Sequence, residues 1–198
     1  MEILLQTDKS FIGVYKNVIC KNVICKEELH NCVLEIQDKL LDYPKIRIYN
    51  KDAIQHRCIG FFSNESIGYY YSGQLAKSQP LSENIKKLLE NINSEFNSKF
   101  NGILINKYND GNDYIGRHSD NEKGLDDKIG VLTLSYGAVR KFRIRNKKDN
   151  KIVIDIPLEP YEIVHMGGNF QKEFTHEIPI EKKVKDCRYS FTFRKHIK

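Results

Sequence analysis

The stretch NKYNDGNDYIGRHSD, residues 106–120, joins two strand ends through a tight turn and carries the strongest chemical signal of the chain. Its Asn-Asp-Gly centre predicts the turn, because these residue types tolerate backbone conformations that most others avoid. His118 and Asp120 are two positions apart, so in an extended segment both side chains leave the same face. An imidazole and a carboxylate on one face form part of a metal site, and the pattern predicts a further ligand elsewhere.

Composition limits the classes of protein to which the chain can belong. Its 198 residues suffice for one domain that buries roughly 70% of the surface of the unfolded chain. A hydrophobic content of 40% favours a packed core over disorder. No apolar run approaches the ~20 residues of a membrane span, and the N-terminus lacks the basic region of a signal peptide. We therefore expect no membrane association and no secretion.

The cysteines and the net charge bear on the compartment and on the partners. None of the five cysteines forms a C-x-x-C pair, which argues against a zinc knuckle or a disulfide framework. Two of them end the tandem pentapeptide KNVIC, at 16–20 and 21–25, which we interpret as a local duplication. A reducing compartment is the better interpretation, so we expect an intracellular protein, nuclear or cytoplasmic. The net charge of +6 favours a polyanionic partner without requiring one.

Two segments have the apolar periodicity of amphipathic helices. The first runs from Lys26 to about Leu41, and Pro44 stops its continuation. The second begins after Ser82, a candidate N-cap, and runs to Phe100, where a following Asn-Gly ends it. Both helices belong to the N-terminal half of the chain and are expected to cover a core.

The remaining apolar segments are short and alternate with polar residues, as strands do. Residues 45–75 predict short strands broken by Ser, Asn and Gly, and after Gly102 the pattern is β throughout. Six strands are predicted there, at 103–108, 131–136, 141–145, 151–156, 161–166 and 188–194. Two helices followed by many short strands predict an α+β domain, in which the helices brace one sheet of a jelly roll.

His176 completes a candidate metal site with His118 and Asp120. Two histidines and one carboxylate match the facial triad of non-haem Fe(II) oxygenases, which leaves coordination positions open for other ligands. Zinc would more usually take a set richer in nitrogen or sulfur ligands. His165 is the competing histidine, but it lies in an apolar segment and is interpreted as a core residue. Alone, the triad spacing also arises by chance.

The C-terminal segment CRYSFTFRK places Arg188 and Arg194 six residues apart on one strand face, a span of roughly 20 Å. Arginine is suited to bidentate binding of carboxylates, so the pair can hold a dicarboxylate between its side chains. The alternative is the solvated face of an edge strand, which the residues alone favour.

Two further features leave alternatives open. The run Tyr69, Tyr70 and Tyr71 predicts either half-buried strand residues or an aromatic platform for a flat ligand. A basic run at 140–148 alternates with apolar residues and predicts a strand with a charged outer face. Its Lys147 and Lys148 would contact phosphates in one interpretation and form a solvated surface in the other.

Taken together, the motifs resemble those of the AlkB family of Fe(II)- and 2-oxoglutarate-dependent oxygenases, in particular its nuclear DNA-repair branch. Over about residues 45–196 they occur in the order N-x-Y-x-D-G from Asn106, I-G-x-H-x-D-x-E from Ile115, S-Y-G-A-x-R-x-F from Ser135, M-G-G-x-x-Q-x-x-F-x-H from Met166 and R-x5-R from Arg188. The resemblance implies a double-stranded β-helix with iron held by His118, Asp120 and His176. It also implies that five residues contact 2-oxoglutarate: Asn106, Tyr108, Arg188, Thr192 and Arg194.

The resemblance further implies how the chain is divided. Residues 45–80 would form a nucleotide-recognition lid, between an N-terminal extension and helix at 1–44 and a supporting helix and catalytic core at 81–198. In the lid, Tyr49 would be the wedge that fills the place of an extruded base, and Arg57 would lie near the DNA backbone.

The target base would have its own contacts. Tyr71, with Ser72 beside it, would stack the base against His118, while Tyr69 and Glu122 would reach the polar edge of the base. In one departure from the pattern, Tyr161 stands where the family usually has Gly.

The function that the resemblance implies is oxidative demethylation of N-alkylated bases, such as 1-methyladenine and 3-methylcytosine, with Fe(II), 2-oxoglutarate and O2. A base in a duplex has to be flipped out of the stack to be reached. The expected partner is alkylated DNA, with RNA possible, and the expected state is a monomer. The alternatives are an oxygenase acting on RNA as a modification eraser or on a protein side chain, and a non-catalytic nucleic-acid-binding module.

Overall fold

The computed structural model describes residues 1–16, 25–48, 51–71, 74–120 and 129–196, without the side chains of residues 48, 70, 71 and 74. The helices within these ranges are α1 (Lys26–Ile36), α2 (Glu83–Glu95) and the short α3 (Phe170–Glu173). None of them is long and apolar enough to cross a membrane. The strands are β1 (Glu2–Gln6), β2 (Ser10–Tyr15), β3 (Lys45–Ile48), β4 (Lys51–Ile54), β5 (Cys58–Phe62), β6 (Gly68–Tyr71), β7 (Gln74–Gln79), β8 (Gly102–Tyr108), β9 (Ile115–His118), β10 (Val131–Gly137), β11 (Arg140–Asn146), β12 (Ile152–Leu158), β13 (Ile163–Gly168), β14 (Phe174–Ile178) and β15 (Arg188–Arg194).

The strands form a large sheet, a small sheet and one hairpin. The large sheet has nine strands in the order β1-β2-β13-β10-β15-β8-β5-β7-β6, and the small sheet has four in the order β12-β11-β14-β9. The hairpin pairs β3 with β4. The two sheets pack face to face with α1 and α2 on the outer side of the large one, which confirms the predicted α+β class and jelly-roll arrangement.

Alternation along β8 shows how the sequence produces these layers. Ile103 and Ile105 point outward into a core shared with the helices, where Leu29 and Ile85 are fully buried. Tyr108, from the other set of alternate positions, packs into the core between the two sheets. The same alternation brings the polar side chain of Asn106 to the inner face, so the inner face of this strand is available for a binding site.

Both predicted helices are present but end earlier than predicted. The α-helix that was expected to reach about Leu41 ends at Ile36 and continues as a 3-10 turn over Gln37–Lys39. The second helix ends at Glu95 rather than Phe100. The cause is Asn93, whose side-chain oxygen accepts from the main-chain N–H of Phe100 at 2.7 Å. Phe100 is therefore a buried residue beyond the end of the helix.

The predicted strands after Gly102 are confirmed with small shifts in their ends, and several strands were not predicted. β1 and β2 form an edge hairpin on the large sheet, and β2 pairs with β13 from Ile163↔Tyr15 to Gly168↔Ser10. β9 and β14 carry the two candidate histidine ligands and are only four and five residues long. Strands this short have no clear pattern in the local sequence. Only their pairing with other strands in the structure identifies them.

Tyr161 adopts the conformation that the family's glycine would allow. Its φ is +68°, in the left-handed region that disfavours residues with a side chain. The ring packs edge-on against Tyr136, with centroids 5.9 Å apart, and Lys26 lies over it at 5.4 Å. The unusual backbone is thus accompanied by side-chain contacts that glycine could not make.

Candidate metal and cosubstrate site

The candidate functional residues line a cavity between the two sheets. The large sheet contributes inward-facing residues of β8 and β15, and the small sheet contributes residues of β9, β11 and β14. Its lining includes all of the residues predicted to bind metal or cosubstrate, namely Asn106, Tyr108, His118, Asp120, His176, Arg188, Thr192 and Arg194. Residues from 106 to 194 therefore meet at one place because the two sheets face each other.

The predicted metal ligands converge at one end of this cavity. One potential ligand atom from each of His118, Asp120 and His176 lies within 4.8 Å of the others. The two carboxylate oxygens of Asp120 divide between the imidazoles, with Oδ1 at 3.6 Å from Nε2 of His118 and Oδ2 at 3.6 Å from Nε2 of His176. The pairing of β14 with β9 places His176 directly beside His118. The structure thus brings together the three residues predicted as metal ligands, and they form a potential iron site.

The environment keeps these imidazoles neutral and the carboxyl ionised. Nδ1 of His118 is bonded to the carbonyl of Gly116 at 2.9 Å, which assigns its proton to Nδ1 and leaves the lone pair of Nε2 on the side of Asp120. Burial lowers the pKa of His118. Burial and the neighbouring His118 ring together lower the pKa of His176 to about 3. Burial alone would raise the pKa of Asp120, but Arg194 and the two imidazoles hold it below its usual value. Metal ligation requires these protonation states.

His165, the competing histidine, lies away from this cluster. Its Nε2 is 2.8 Å from the carbonyl of Ile129, and its ring packs edge-on against Phe11. His165 is half-buried rather than part of the buried core, and it does not line the metal cavity.

The two arginines of β15 occupy different parts of the cavity. Arg194 lies at the metal end, where its Nη2 donates to Asp120 Oδ1 at 2.6 Å and its guanidinium lies 4.9 Å from the ring of Tyr69. Arg188 lies six residues away along the strand, roughly 20 Å if the strand is fully extended. Both side chains are almost completely buried, so the solvated edge-strand alternative is excluded.

Arg188 has the features of an anion-binding residue. Nη2 donates to the hydroxyl of Ser135 at 3.1 Å, whereas Nε and Nη1 are buried and have no hydrogen-bond partner among the described residues. The guanidinium lies 5.5 Å from the ring of Tyr108. Burial lowers the pKa of Arg188 to about 10, which leaves it charged at neutral pH. A buried cation with unused donors is costly unless an anion binds to it.

The remaining predicted cosubstrate residues line the wall between these ends. Antiparallel pairing sets Tyr108 beside Arg188 and Asn106 beside Ser190. Thr192 lies further along β15, with its hydroxyl 3.3 Å from that of Thr133. The wall thus presents an amide, two hydroxyls and a phenol ring between the arginines, a set that suits a polar and elongated ligand such as a dicarboxylate.

Arg57 corrects one prediction. It was expected near the DNA backbone, but its side chain is 3% exposed and its Nε donates to Asn106 Oδ1 at 2.7 Å. A side chain buried in this way does not reach a phosphate on the surface. Because Arg57 occupies the amide oxygen of Asn106, the amide nitrogen is oriented toward Ser190, at 3.5 Å from its hydroxyl.

The other residues predicted to contact the substrate are only partly within the described ranges. Tyr69 lines the metal cavity, is 2% exposed and stacks on Phe61 at 6.2 Å. The backbone of Tyr71 belongs to β6, whereas its side chain is outside the description. Ser72, Glu122 and Tyr49 lie outside the described residues.

Two residues near the site were not predicted to have a role there. Arg140 was assigned to a basic outer face but is 1% exposed, and it donates to the carbonyls of Asp110, Asp113 and Pro179. It thereby ties the Asn-Asp-Gly turn to the end of β14. Gln171 accepts a hydrogen bond from the main-chain N–H of Asp120 at 2.9 Å. Both residues occur in the motifs of the resemblance, which is the signal that could have identified them.

Lys147 also differs from the prediction of a phosphate contact. Its Nζ donates to the carbonyl of Gln171 at 2.7 Å, and burial lowers its pKa. In this arrangement the ammonium group serves an internal contact.

Comparison with known proteins agrees with this geometry. Residues 18–194 match the 2OG-Fe(II) oxygenase superfamily. The chain is 27% identical over 158 residues, 76% of its length, to the Homo sapiens DNA oxidative demethylase ALKBH2. It is 30% identical over 135 residues, 64% of its length and 47% of the relative, to the Bos taurus alpha-ketoglutarate-dependent dioxygenase alkB homolog 3.

These relatives are longer than the region they share with the chain. The chain spans about 60% of the length of the human ALKBH2 that it matches. Among solved structures, "The structure of OsALKBH1" superimposes with a TM-score of 0.61 at 14% identity, covering 93% of this chain and 97% of that one. At that identity the structural likeness bears on the fold alone.

Proposed function

The chain belongs to the 2OG-Fe(II) oxygenase superfamily, and from that premise we propose that it is an oxidative demethylase of N-alkylated nucleic-acid bases. The cofactors of this superfamily are Fe(II), 2-oxoglutarate and O2, and His118, Asp120 and His176 form a potential iron site. The proposal for the substrate class rests on the similarity to proteins named DNA oxidative demethylase ALKBH2.

One observation carries the proposal: the His-Asp-His cluster and the under-bonded guanidinium of Arg188 lie in the same interior cavity. A metal-only site would not need a buried cation in the same cavity. A 2-oxoglutarate molecule that ligates the metal at one end has a second carboxylate at the other, and Arg188 has donors for it. Asn106, Tyr108, Thr192 and Arg194 would complete the binding of the cosubstrate.

When bound, the metal and cosubstrate with O2 would supply an oxidant that hydroxylates the N-alkyl carbon, with succinate, CO2 and formaldehyde as products. The residues of the chain perform the positioning. His118 and His176 present neutral imidazoles, and Arg194 holds the Asp120 carboxylate ionised at the metal end. Arg188 fixes the far end of the cosubstrate, so its reacting end is held at the metal.

For the substrate base, the proposal extends to the residues that the family resemblance assigns to base contacts. Tyr69 lines the cavity and would reach the edge of the base together with Glu122. Tyr71, with Ser72, would stack the base against His118, and Tyr49 would act as the wedge in the vacated stack.

The test is direct. The protein is incubated with Fe(II), ascorbate, 2-oxoglutarate and oligonucleotides carrying 1-methyladenine or 3-methylcytosine, and the loss of the methyl group is followed by mass spectrometry. We expect turnover by the wild type and none by His118→Ala, whose circular dichroism should remain that of a folded protein. His165→Gln, which removes a histidine outside the cavity, is the matched control and should remain active.

Four substrates are compared side by side: single-stranded and double-stranded DNA and RNA. Turnover on RNA alone would move the function to the removal of RNA modifications. Absence of turnover on all four would refute the proposal, and succinate formation stimulated by a peptide would then favour a protein side chain as substrate.

We further propose that the protein acts as a monomer inside the cell, in the nucleus or cytoplasm. The described cysteines Cys25, Cys32, Cys58 and Cys187 are free thiols, which supports a reducing compartment. Size-exclusion chromatography with light scattering tests the first point, and localisation of a tagged protein tests the second.

A further inference from the structure

We propose that Gln171 is a positioning residue for the metal site, because it fixes the main chain at Asp120 and with it the direction of the metal-binding carboxylate. The inference rests on the proposed role of His118, Asp120 and His176 as iron ligands. Its experimental test is designed so that failure of the metal site and failure of the role of Gln171 give different results.

The contact itself is specific. Oε1 of Gln171 accepts a hydrogen bond of 2.9 Å from the main-chain N–H of Asp120. The other end of the amide, Nε2, lies 3.6 Å from Sδ of Met166 on β13. Because the partner at Asp120 is a donor, the amide oxygen has to face it, and this fixes the orientation of the side chain.

Asp120 needs such a contact because it lies beyond the end of a short edge strand. β9 has four residues, is the last strand of the small sheet, and pairs with β14 at His118↔His176 and Ile115↔Ile178. Asp120 lies two positions beyond this strand. Its carboxylate nevertheless has to face Arg194 and both imidazoles at once, which requires a defined main-chain direction.

Gln171 supplies this direction from the segment that also carries His176. It belongs to α3, which connects β13 directly to β14. Ser119 adds a parallel contact, since its hydroxyl donates to the carbonyl of Phe174 at 3.0 Å. Two hydrogen bonds thus tie the residues around Asp120 to the connection before His176, so the ligands from both strands are held as one unit.

The position of Gln171 is itself fixed from a third direction. Nζ of Lys147, in the turn after β11, donates to the main-chain carbonyl of Gln171 at 2.7 Å. The main-chain N–H of Lys147 donates to the carbonyl of Glu173 at 3.0 Å. α3 is therefore held by β11 on one side, which lets a four-residue turn serve as a rigid support.

Outer hydrogen-bond partners of metal ligands typically contribute 10- to 100-fold to metal affinity. Gln171→Met keeps the length of the side chain and removes the acceptor, so we expect its dissociation constant for Mn(II), an O2-stable substitute for Fe(II), to rise by about 10- to 100-fold. Gln171→Glu keeps an acceptor at the same position and should bind Mn(II) within about threefold of wild type, or more tightly. Gln171→Asn, whose shorter side chain cannot reach, should resemble Gln171→Met.

The experiment measures Mn(II) affinity by electron paramagnetic resonance in the wild type and these variants, after circular dichroism has shown that each is folded. Lys172→Ala changes the next residue of α3 and should bind as the wild type does. Wild-type affinity in both Gln171→Met and Gln171→Asn would overturn the inference, as would an equal loss in Gln171→Glu. If His118→Ala also retained wild-type affinity, the metal site itself would be refuted rather than the role of Gln171.

Discussion

At the scale of single residues, Arg188 combines a binding role with a cost to the fold. Its guanidinium is buried, and two of its N–H groups have no partner among the described residues. Replacement of a poorly compensated buried charge by an apolar side chain of similar length is neutral or stabilising. We therefore expect Arg188→Met to raise the free energy of unfolding of the cosubstrate-free protein by about 1–3 kcal/mol, measured by urea denaturation.

The same variant should lose the stabilisation that 2-oxoglutarate gives to the wild type. Arg143→Met is the control, because Arg143 is bonded to Asp155 through two contacts of 2.7 and 2.8 Å and is more exposed. This control should not gain stability and should still be stabilised by 2-oxoglutarate. A destabilised Arg188→Met would contradict the argument from an uncompensated charge.

Substitution of Arg57 is expected to weaken the binding of 2-oxoglutarate. Because it bonds to the amide oxygen of Asn106 at 2.7 Å, its loss should disturb the cosubstrate wall. A hydrogen bond from a charged donor contributes about 1.5–3 kcal/mol, so Arg57→Met should raise the KM for 2-oxoglutarate by about tenfold or more. Initial rates measured at varied concentrations of 2-oxoglutarate, and separately of the oligonucleotide, give the KM for each substrate.

Arg47 provides the comparison for Arg57. It is an exposed cation on the β3–β4 hairpin, and Arg47→Met should leave the KM for 2-oxoglutarate unchanged. If Arg57→Met raised only the KM for the oligonucleotide, a role of Arg57 in binding the nucleic acid would be the better assignment.

At the scale of elements, replacing the sulfur atom of the N-cap residue of α1 by oxygen is expected to stabilise the helix. Cys25 is the N-cap: its Sγ accepts from the N–H of Glu28 at 3.3 Å, and Glu28 accepts from the N–H of Cys25 at 3.0 Å. Serine makes the same capping box with a stronger acceptor. Cys25→Ser should therefore raise the free energy of unfolding by about 0.5 kcal/mol in thermal or urea melts.

Cys187→Ser changes another exposed thiol that caps no helix, and it should leave stability unchanged. An equal gain in both variants would point to thiol chemistry instead of capping. The tandem pentapeptide thus contributes a structural residue at its last position, which the repeat pattern itself did not suggest.

Elements differ in how well the sequence predicts them. The apolar stripes of α1 and α2 and the alternation in β8, β10, β11 and β15 are local patterns, and these elements were predicted. β2 joins the large sheet by pairing with β13, which is about 150 residues away in sequence, and no local pattern encodes that partner. The end of α2 depends on a side chain, Asn93, that captures the next turn of the chain.

At the scale of the whole molecule, the same distinction separates the two parts of the site. The metal ligands and the arginine pair were predicted because their residue types suit the chemistry and their order matches the motifs of the family resemblance. The burial of Arg57 and Arg140, and the contact between Gln171 and Asp120, arise only when the two sheets and their connections pack together. Residue type indicates what a side chain can do, and packing decides which group it serves.

The fold as a whole also couples stability to pH through its interior histidines. Burial lowers the pKa values of His118 and His165, and lowers those of His176 and His196 to about 3 and about 4. In the unfolded chain a histidine titrates near pH ~6.5, so below that pH the unfolded state binds more protons than the folded state. The stability that neutral histidines provide is therefore present above about pH 6.5 and is lost as the pH falls toward about 4.

We expect the free energy of unfolding of the metal-free protein to fall by about 2 kcal/mol or more between about pH 7 and pH 5. The measurement is urea denaturation in the presence of a chelator at each pH. His165→Phe, which keeps a ring beside Phe11 and removes one of the titrating groups, should show a smaller decrease. His56→Gln, at an exposed position, should decrease as the wild type does. A free energy of unfolding that is constant over this range would mean that the folded protein takes up protons as readily as the unfolded chain, and that the interior does not exclude charge from these imidazoles.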